Sequence, residues 1–171
     1  SRRRHTRYGT VTGVQTCALP ISGSWQAQVG AVRVVFGSER LVELGGLARE
    51  LAGSRVLLVT DSGLRAAGHV EAAENALRSA DLQVSSFDGV SENPTTHQVA
   101  AGAAFAHRWN PDLIVALGGG SVMDCAKGIN FLLTNGGRME DYWGTGKASR
   151  PMLGQNDAMY GVRRSPETAK S

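Results

Sequence analysis

From residue 31 the chain alternates short apolar runs with longer stretches whose apolar positions recur every three to four residues. The short runs are Val32 to Phe36, Arg55 to Thr60, Leu82 to Phe87 and Asp112 to Leu117. Each has the length and β-branched content of a strand, and Leu113 to Leu117 is apolar throughout, as a strand covered on both faces must be. The longer stretches predict helices near Glu39 to Ala52, Ala66 to Ala80, Gln98 to Trp109 and Val122 to Leu133. In the first, Leu41, Leu44, Leu47 and Leu51 form the apolar stripe; in the second, Val70, Ala73, Ala76 and Leu77 share one face. Asn110-Pro111 stops the third helix and Asn135-Gly136-Gly137 closes the fourth. Strands and helices in strict turn predict βαβ units, a Rossmann-like parallel sheet and right-handed crossovers, an α/β fold. Ligands of such sheets bind beyond the carboxyl ends of the strands. That rule selects four turns, expected on one edge: Gly37-Ser38, Asp61-Ser62, Asp88 to Asn93 and Gly118 to Ser121.

The last of these turns carries the most chemistry. Gly118-Gly119-Gly120-Ser121-Val122-Met123-Asp124-Cys125-Ala126-Lys127 follows a buried strand and opens a helix. The glycines let the backbone turn sharply and approach a ligand with no Cβ in the way. Ser121 is a suitable N-cap, and Asp124 three positions on completes a capping-box pattern. The free N–H groups and positive dipole end of that helix suit a phosphate or pyrophosphate. The plainer reading is a tight turn that packs helix on sheet. The pattern is neither the spaced glycine fingerprint of the standard dinucleotide fold nor a Walker A loop. Asp61 ends a strand on the same edge, where a carboxylate can accept from ribose hydroxyls and repel a 2′-phosphate, or simply cap the helix that follows. Glu92-Asn93-Pro94-Thr95 is a pre-proline turn whose plain role is to cap the next helix.

Charge changes the picture only at the ends. The 171-residue chain has 18 Lys and Arg against 15 Asp and Glu. Residues 1–22 hold four arginines and no acid, and 154–171 hold three basic residues against two acids, so residues 23–153 carry 11 basic and 13 acidic groups. The basicity that would argue for nucleic acid lies at the two ends, and no nucleic-acid partner is expected. Val11 to Ile21 resembles the translation of a sequencing adaptor, and Ser1 to Arg7 its flanking part, so residues 1–22 are expected to be an artefact without ordered structure. Gly154 to Ser171 is polar and unpatterned and is expected to be a frameshifted tail, leaving 23–153 as one α/β domain. No apolar run is long enough for a membrane span. Cys17 lies in the suspect segment, so Cys125 stands alone, and it reads as a packing residue of its helix.

Gly118 to Lys127, with Val59-Thr60-Asp61 upstream and Glu92-Asn93-Pro94-Thr95 between, resembles the iron-containing (group III) alcohol dehydrogenases over about residues 30 to 153. Glycerol dehydrogenases and dehydroquinate-synthase-like enzymes share the element. The resemblance implies an N-terminal nucleotide-binding domain, an all-helical C-terminal domain absent from this chain, and an active site in the cleft between them. It implies NAD as cofactor, with Gly118, Gly119, Gly120 and Ser121 at the pyrophosphate, Asp61 at the adenosine ribose, Asn93 beside the adenine end, and Asp124 and Lys127 facing the cleft. It also implies a divalent metal, Fe2+ or Zn2+, held by an aspartate and a His-x-x-x-His pair. This chain has only His5, His69, His97 and His107, which form no such pair, so no metal ligand is expected in it. The implied parent activity is hydride transfer between a primary alcohol and its aldehyde, in a cytoplasmic homo-oligomer. A non-catalytic NAD-binding fragment and a phosphate- or sugar-nucleotide-binding module are the other readings.

Overall fold

The computed structural model describes residues 24–30, 32–144, 146–147, 149–153 and 161–162. The expectations for residues 1–22, and for 154–171 apart from two residues, fall outside them. Three of the four expected strands form one parallel sheet: β3 (Arg55–Asp61), β4 (Gln83–Val90) and β5 (Leu113–Leu117), in the spatial order β4-β3-β5. A two-residue strand, β6 (Gly161–Val162), continues the sheet in parallel beside Ala116 and Leu117 of β5.

Alternation along the two central strands builds a core on each face. Leu57 and Val59 of β3 join Ile114 and Ala116 of β5 under α4 (Thr96–Trp109) and α5 (Gly120–Asn135). Val56 and Leu58, with Leu113, Val115 and Leu117, face α1 (Leu44–Glu50) and α3 (His69–Arg78). Helices on both faces are what right-handed crossovers produce when the chain runs from β3 out to β4 on one side and then crosses back over β3 to β5 on the other. Two glycines set the spacing of α4 and α5. A Cβ on Gly102 would come within 2.3 Å of Ile129 Cδ1, and one on Gly128 within 2.8 Å of Val99 Cγ1. No described helix is long and apolar enough to cross a membrane.

The structure corrects the sequence reading at the first strand. Val32–Phe36 (β2) is not in the parallel sheet. It pairs antiparallel with β1 (Trp25–Val29) in a separate ribbon, Trp25 stacked on Phe36 at 5.4 Å between centroids. The connection spans two residues, with Gly30 at φ +60°, and so short a link admits only a hairpin. Trp25-Gln26-Ala27-Gln28-Val29 carried the alternation of a half-buried strand, which the run of apolar residues after it masked. Gly37-Ser38 therefore lies off the sheet's carboxyl edge. The first expected helix is broken in two, and an extra short helix stands where a turn was expected after β3. Arg40–Glu43 is a 3₁₀ turn leading into α1, and Gly68, at φ +79°, separates α2 (Ser62–Ala66) from α3. β4 runs on to Val90, and α4 begins at Thr96 under a capping box between Thr95 and Gln98.

Beyond α5 the chain is held by two asparagines. Asn130, only 5% exposed, donates through Nδ2 to Leu153 O and accepts from Leu153 N, both at 2.8 Å. Asn135 does the same for Arg150, donating to its carbonyl at 3.1 Å and accepting from its N–H at 2.9 Å.

Candidate functional site

The order β4-β3-β5 means that the chain leaves β3 towards one edge and leaves β5 towards the other. The carboxyl ends of β3 and β5 are therefore a topological switch point, where such sheets open a crevice. An open cleft of about 500 Å³ lies there. Its walls are the turn after β3 (Asp61, Ser62), the end of β4 and its loop (Val90, Ser91, Glu92), and the turn from β5 into α5 (Gly119, Gly120, Ser121, Val122).

The three glycines divide the work. Gly118 is buried at φ +157°, and a Cβ there would sit 2.6 Å from Val122 Cγ2, so the turn itself requires it. Gly119 and Gly120 have nothing within 4 Å of where a Cβ would stand: the space over them is open, and they line the cleft. α5 begins at Gly120, and its first internal bond runs from Met123 N to Gly119 O. The N–H groups of Gly120, Ser121 and Val122 thus precede the helical ladder and point out of its first turn. Asp61 and Glu92 are the charged residues on the walls, and neither Lys nor Arg is among them. An anion would be met by backbone N–H groups and the positive end of a 16-residue helix.

Ser121 departs from expectation. The N-cap is Gly119, with no side-chain cap bond, and the Ser121–Asp124 capping box does not form. One residue into the helix, the Ser121 hydroxyl instead accepts from Asn93 N at 3.3 Å, which ties the loop after β4 to the glycine turn. Asn93 is exposed and left-handed at φ +54°, a conformation asparagine tolerates. Asp61 is the N-cap of α2, accepting from Leu64 N at 2.9 Å through Oδ1, and the residue also lines the cleft. The two readings of Asp61 are thus compatible: one oxygen caps while the carboxylate borders the cavity. Asp124 and Lys127 stand apart from the cleft walls, exposed on α5 and paired with each other at 3.3 Å.

Other residues on these elements serve packing and position. Cys125 is fully buried in the α4/α5 core, and burial pushes its thiol up to about 11, which leaves it protonated and unreactive at neutral pH. Behind the Asp61 turn, Arg65 of α2 reaches Asp88 of β4 at 2.5 Å, and Glu74 of α3 takes bonds from Arg78 at 2.8 Å and Ser86 Oγ at 2.6 Å. Burial opposes ionisation of Glu74, but the Ser86 hydroxyl and the Arg78 guanidinium hold its carboxyl below the usual glutamate range. Thr60 was missed by sequence reasoning. It is fully buried and donates to Leu117 O at 2.9 Å, between the two strands that flank the switch point. Its signal was a single hydroxyl closing an otherwise apolar run. Ser62 and Ser91 lie in turns that the sequence did select, but neither was given a role of its own, because exposed serines in turns have no distinguishing pattern.

Among the described residues no three of His, Cys, Asp and Glu converge as a metal site would require. His69 and His97 are exposed residues of α3 and α4, and His107 lies exposed near the end of α4.

The profile of the iron-containing alcohol dehydrogenases matches residues 31–155. Alcohol dehydrogenase 4 of Schizosaccharomyces pombe is 38% identical over 136 residues, which cover 80% of this chain and 31% of the relative. The 1,3-propanediol dehydrogenase of Klebsiella pneumoniae is 40% identical over 119 residues, 68% of this chain and 31% of that enzyme. Among solved structures, a 1,3-propanediol oxidoreductase superposes with a TM-score of 0.67 at 37% identity, covering 75% of this chain and 32% of that one. The sulfoacetaldehyde reductase of Bifidobacterium kashiwanohense, solved in complex with NAD+, superposes with a TM-score of 0.61 at 27% identity, over 75% of this chain and 32% of its own. The chain thus spans about a third of the length of these relatives. A profile match across most of the residues, joined to a parallel sheet whose switch point opens between Asp61 and the glycine turn, assigns the chain to the iron-containing alcohol dehydrogenases.

Proposed function

We propose that this chain is the coenzyme-binding part of an NAD-dependent alcohol dehydrogenase that interconverts a primary alcohol and its aldehyde. The observation that carries the reading is the cleft, where open space over Gly119 and Gly120 meets the unpaired N–H groups of the α5 N-terminus. That arrangement fits a pyrophosphate: the absent Cβ atoms leave room for its oxygens, and the helix end supplies donors and partial positive charge. Asp61, with one oxygen engaged by Leu64 N, keeps the other for the ribose hydroxyls of an adenosine and disfavours a 2′-phosphate. Asn93 borders the same end through its tie to Ser121. Gly118 fixes the turn, and Asp124 and Lys127 are assigned to the side of α5 nearer the nicotinamide.

Bound there, NAD supplies the hydride acceptor in oxidation and, as NADH, the donor in reduction. The protein's own contribution from these residues is binding and orientation. The described residues do not fit the divalent metal expected of the family, Fe2+ or Zn2+, because no ligand set converges among them. The chemistry proposed for them is therefore confined to the coenzyme. A homo-oligomeric, cytoplasmic enzyme belongs to the same reading. So does residues 23–153 as one NAD-binding domain.

A second reading is in keeping with the lack of a converging metal-ligand set among the described residues: a fragment that binds NAD and turns over nothing by itself. Calorimetric titration of NAD, NADP and ADP, followed by a butanol-oxidation assay with added iron or zinc, separates the two. NAD binding without turnover supports the fragment, and turnover with metal removes it. No NAD binding at millimolar concentration would refute both. Glycerol oxidation in place of butanol oxidation would assign the chain to the glycerol-dehydrogenase side of the superfamily.

A further inference from the structure

The regular ladders of β3 give out at one residue. On the β5 side the paired residues run from Val56↔Leu113 to Val59↔Ala116 and stop. On the β4 side the register breaks between Val59 and Asp61, where two residues of β4, Asp88 and Gly89, lie against one of β3. That one residue is Thr60, at the point where β3 and β5 part to open the cleft. Its hydroxyl, fully buried, donates to Leu117 O at 2.9 Å and carries the tie between the strands one residue beyond the last backbone pair. Thr60 directly precedes Asp61, and Leu117 directly precedes Gly118. For burial alone valine would serve better, since it has the same shape and no hydroxyl to desolvate.

We propose that Thr60 is a positioning residue for the coenzyme: its bond to Leu117 sets the distance between the Asp61 turn and the Gly118–Ser121 turn. The inference rests on the NAD reading above and adds a specific consequence. A ligand that must touch both turns at once depends on their spacing. A ligand that occupies only one does not.

The experiment titrates the full chain and its variants with NAD, ADP-ribose, adenosine and inorganic pyrophosphate. Thr60→Val removes the donor and keeps the shape. It is expected to weaken NAD and ADP-ribose by about tenfold, the scale of one buried hydrogen bond, while adenosine and pyrophosphate bind as to the unaltered chain. Thr60→Ser keeps the donor and should bind NAD within about twofold of the unaltered chain. Thr60→Cys, a weak donor, falls between, and it takes the place of the valine variant if that one does not fold. The inference is overturned if the variant lacking the donor binds NAD normally, if all four ligands weaken together, or if serine fails to restore NAD binding. Failure of the unaltered chain to bind NAD would instead sink the coenzyme reading, and this inference with it.

Discussion

At the scale of single residues, Asp61 holds two jobs whose energies differ. As an N-cap it satisfies one orphan N–H of α2, worth about 1 kcal/mol against alanine but only a few tenths against glycine. As a wall of the cleft it has the proposed role of setting which ribose binds. Asp61→Gly is therefore expected to leave the thermal midpoint almost unchanged and to raise the affinity for NADP relative to NAD, read by parallel calorimetric titrations. Equal discrimination in the two proteins would remove the ribose role. Cys125 is the opposite case, a residue with chemistry it does not use. With its thiol pushed up to about 11 by burial, iodoacetamide at neutral pH should label it slowly in the folded chain and fast in denaturant. Rapid labelling of Cys125 in the folded chain, told apart from Cys17 by peptide mass spectrometry, would show an α5 that opens.

At the scale of elements, the glycines sort by what surrounds them. Gly102 and Gly128 lie in the α4/α5 contact, where an added methyl meets Ile129 or Val99. Gly102→Ala should cost about 1–3 kcal/mol of stability in chemical denaturation. Gly120→Val adds more bulk where nothing stands nearby, and should leave stability near that of the unaltered chain while weakening NAD by tenfold or more, roughly the loss of one or two anion contacts. Gly120 stood out in the sequence as part of the strand-to-helix turn, whereas Gly102 lay inside the Gln98 to Trp109 helix with no signal of its contact. Much of the rest was legible: the apolar runs at Leu57 to Val59 and Leu113 to Leu117, and the helices that cover them, follow directly from periodicity. The β1–β2 ribbon was not, since a strand's partner depends on the length of its connection rather than on its own pattern. Nor was the role of Ser121, because a hydroxyl two residues past the cap position can turn outward to a neighbouring loop.

At the scale of the whole molecule, two of the three segments that wall the cleft are braced against each other by a charged pair. The Arg65–Asp88 pair and the Glu74, Arg78 and Ser86 cluster join α2, α3 and β4 on the far side of the Asp61 turn. Glu74 has its carboxyl lowered in the folded chain, so the stability it contributes is present above its unfolded pKa, near 4.5, and is lost as pH falls through the lower folded value. Denaturation midpoints measured from pH 6 downwards should fall over that window, and Glu74→Gln should flatten part of the slope. An unchanged slope would mean that other carboxylates govern acid unfolding. Three of the four turns expected on the carboxyl edge do wall the cleft, and what the sequence left open was the strand order that makes a crevice between them. The clasp beyond α5 has a different kind of consequence. Asn130 and Asn135 grip backbone atoms of Leu153 and Arg150, and Pro151, which has no N–H to offer, falls between the two grips. The two amides thus recognise the segment's main chain rather than its side chains. Exposed Arg150 can change without touching these bonds, whereas Asn130→Asp turns a donor into an acceptor facing a carbonyl and loosens the segment.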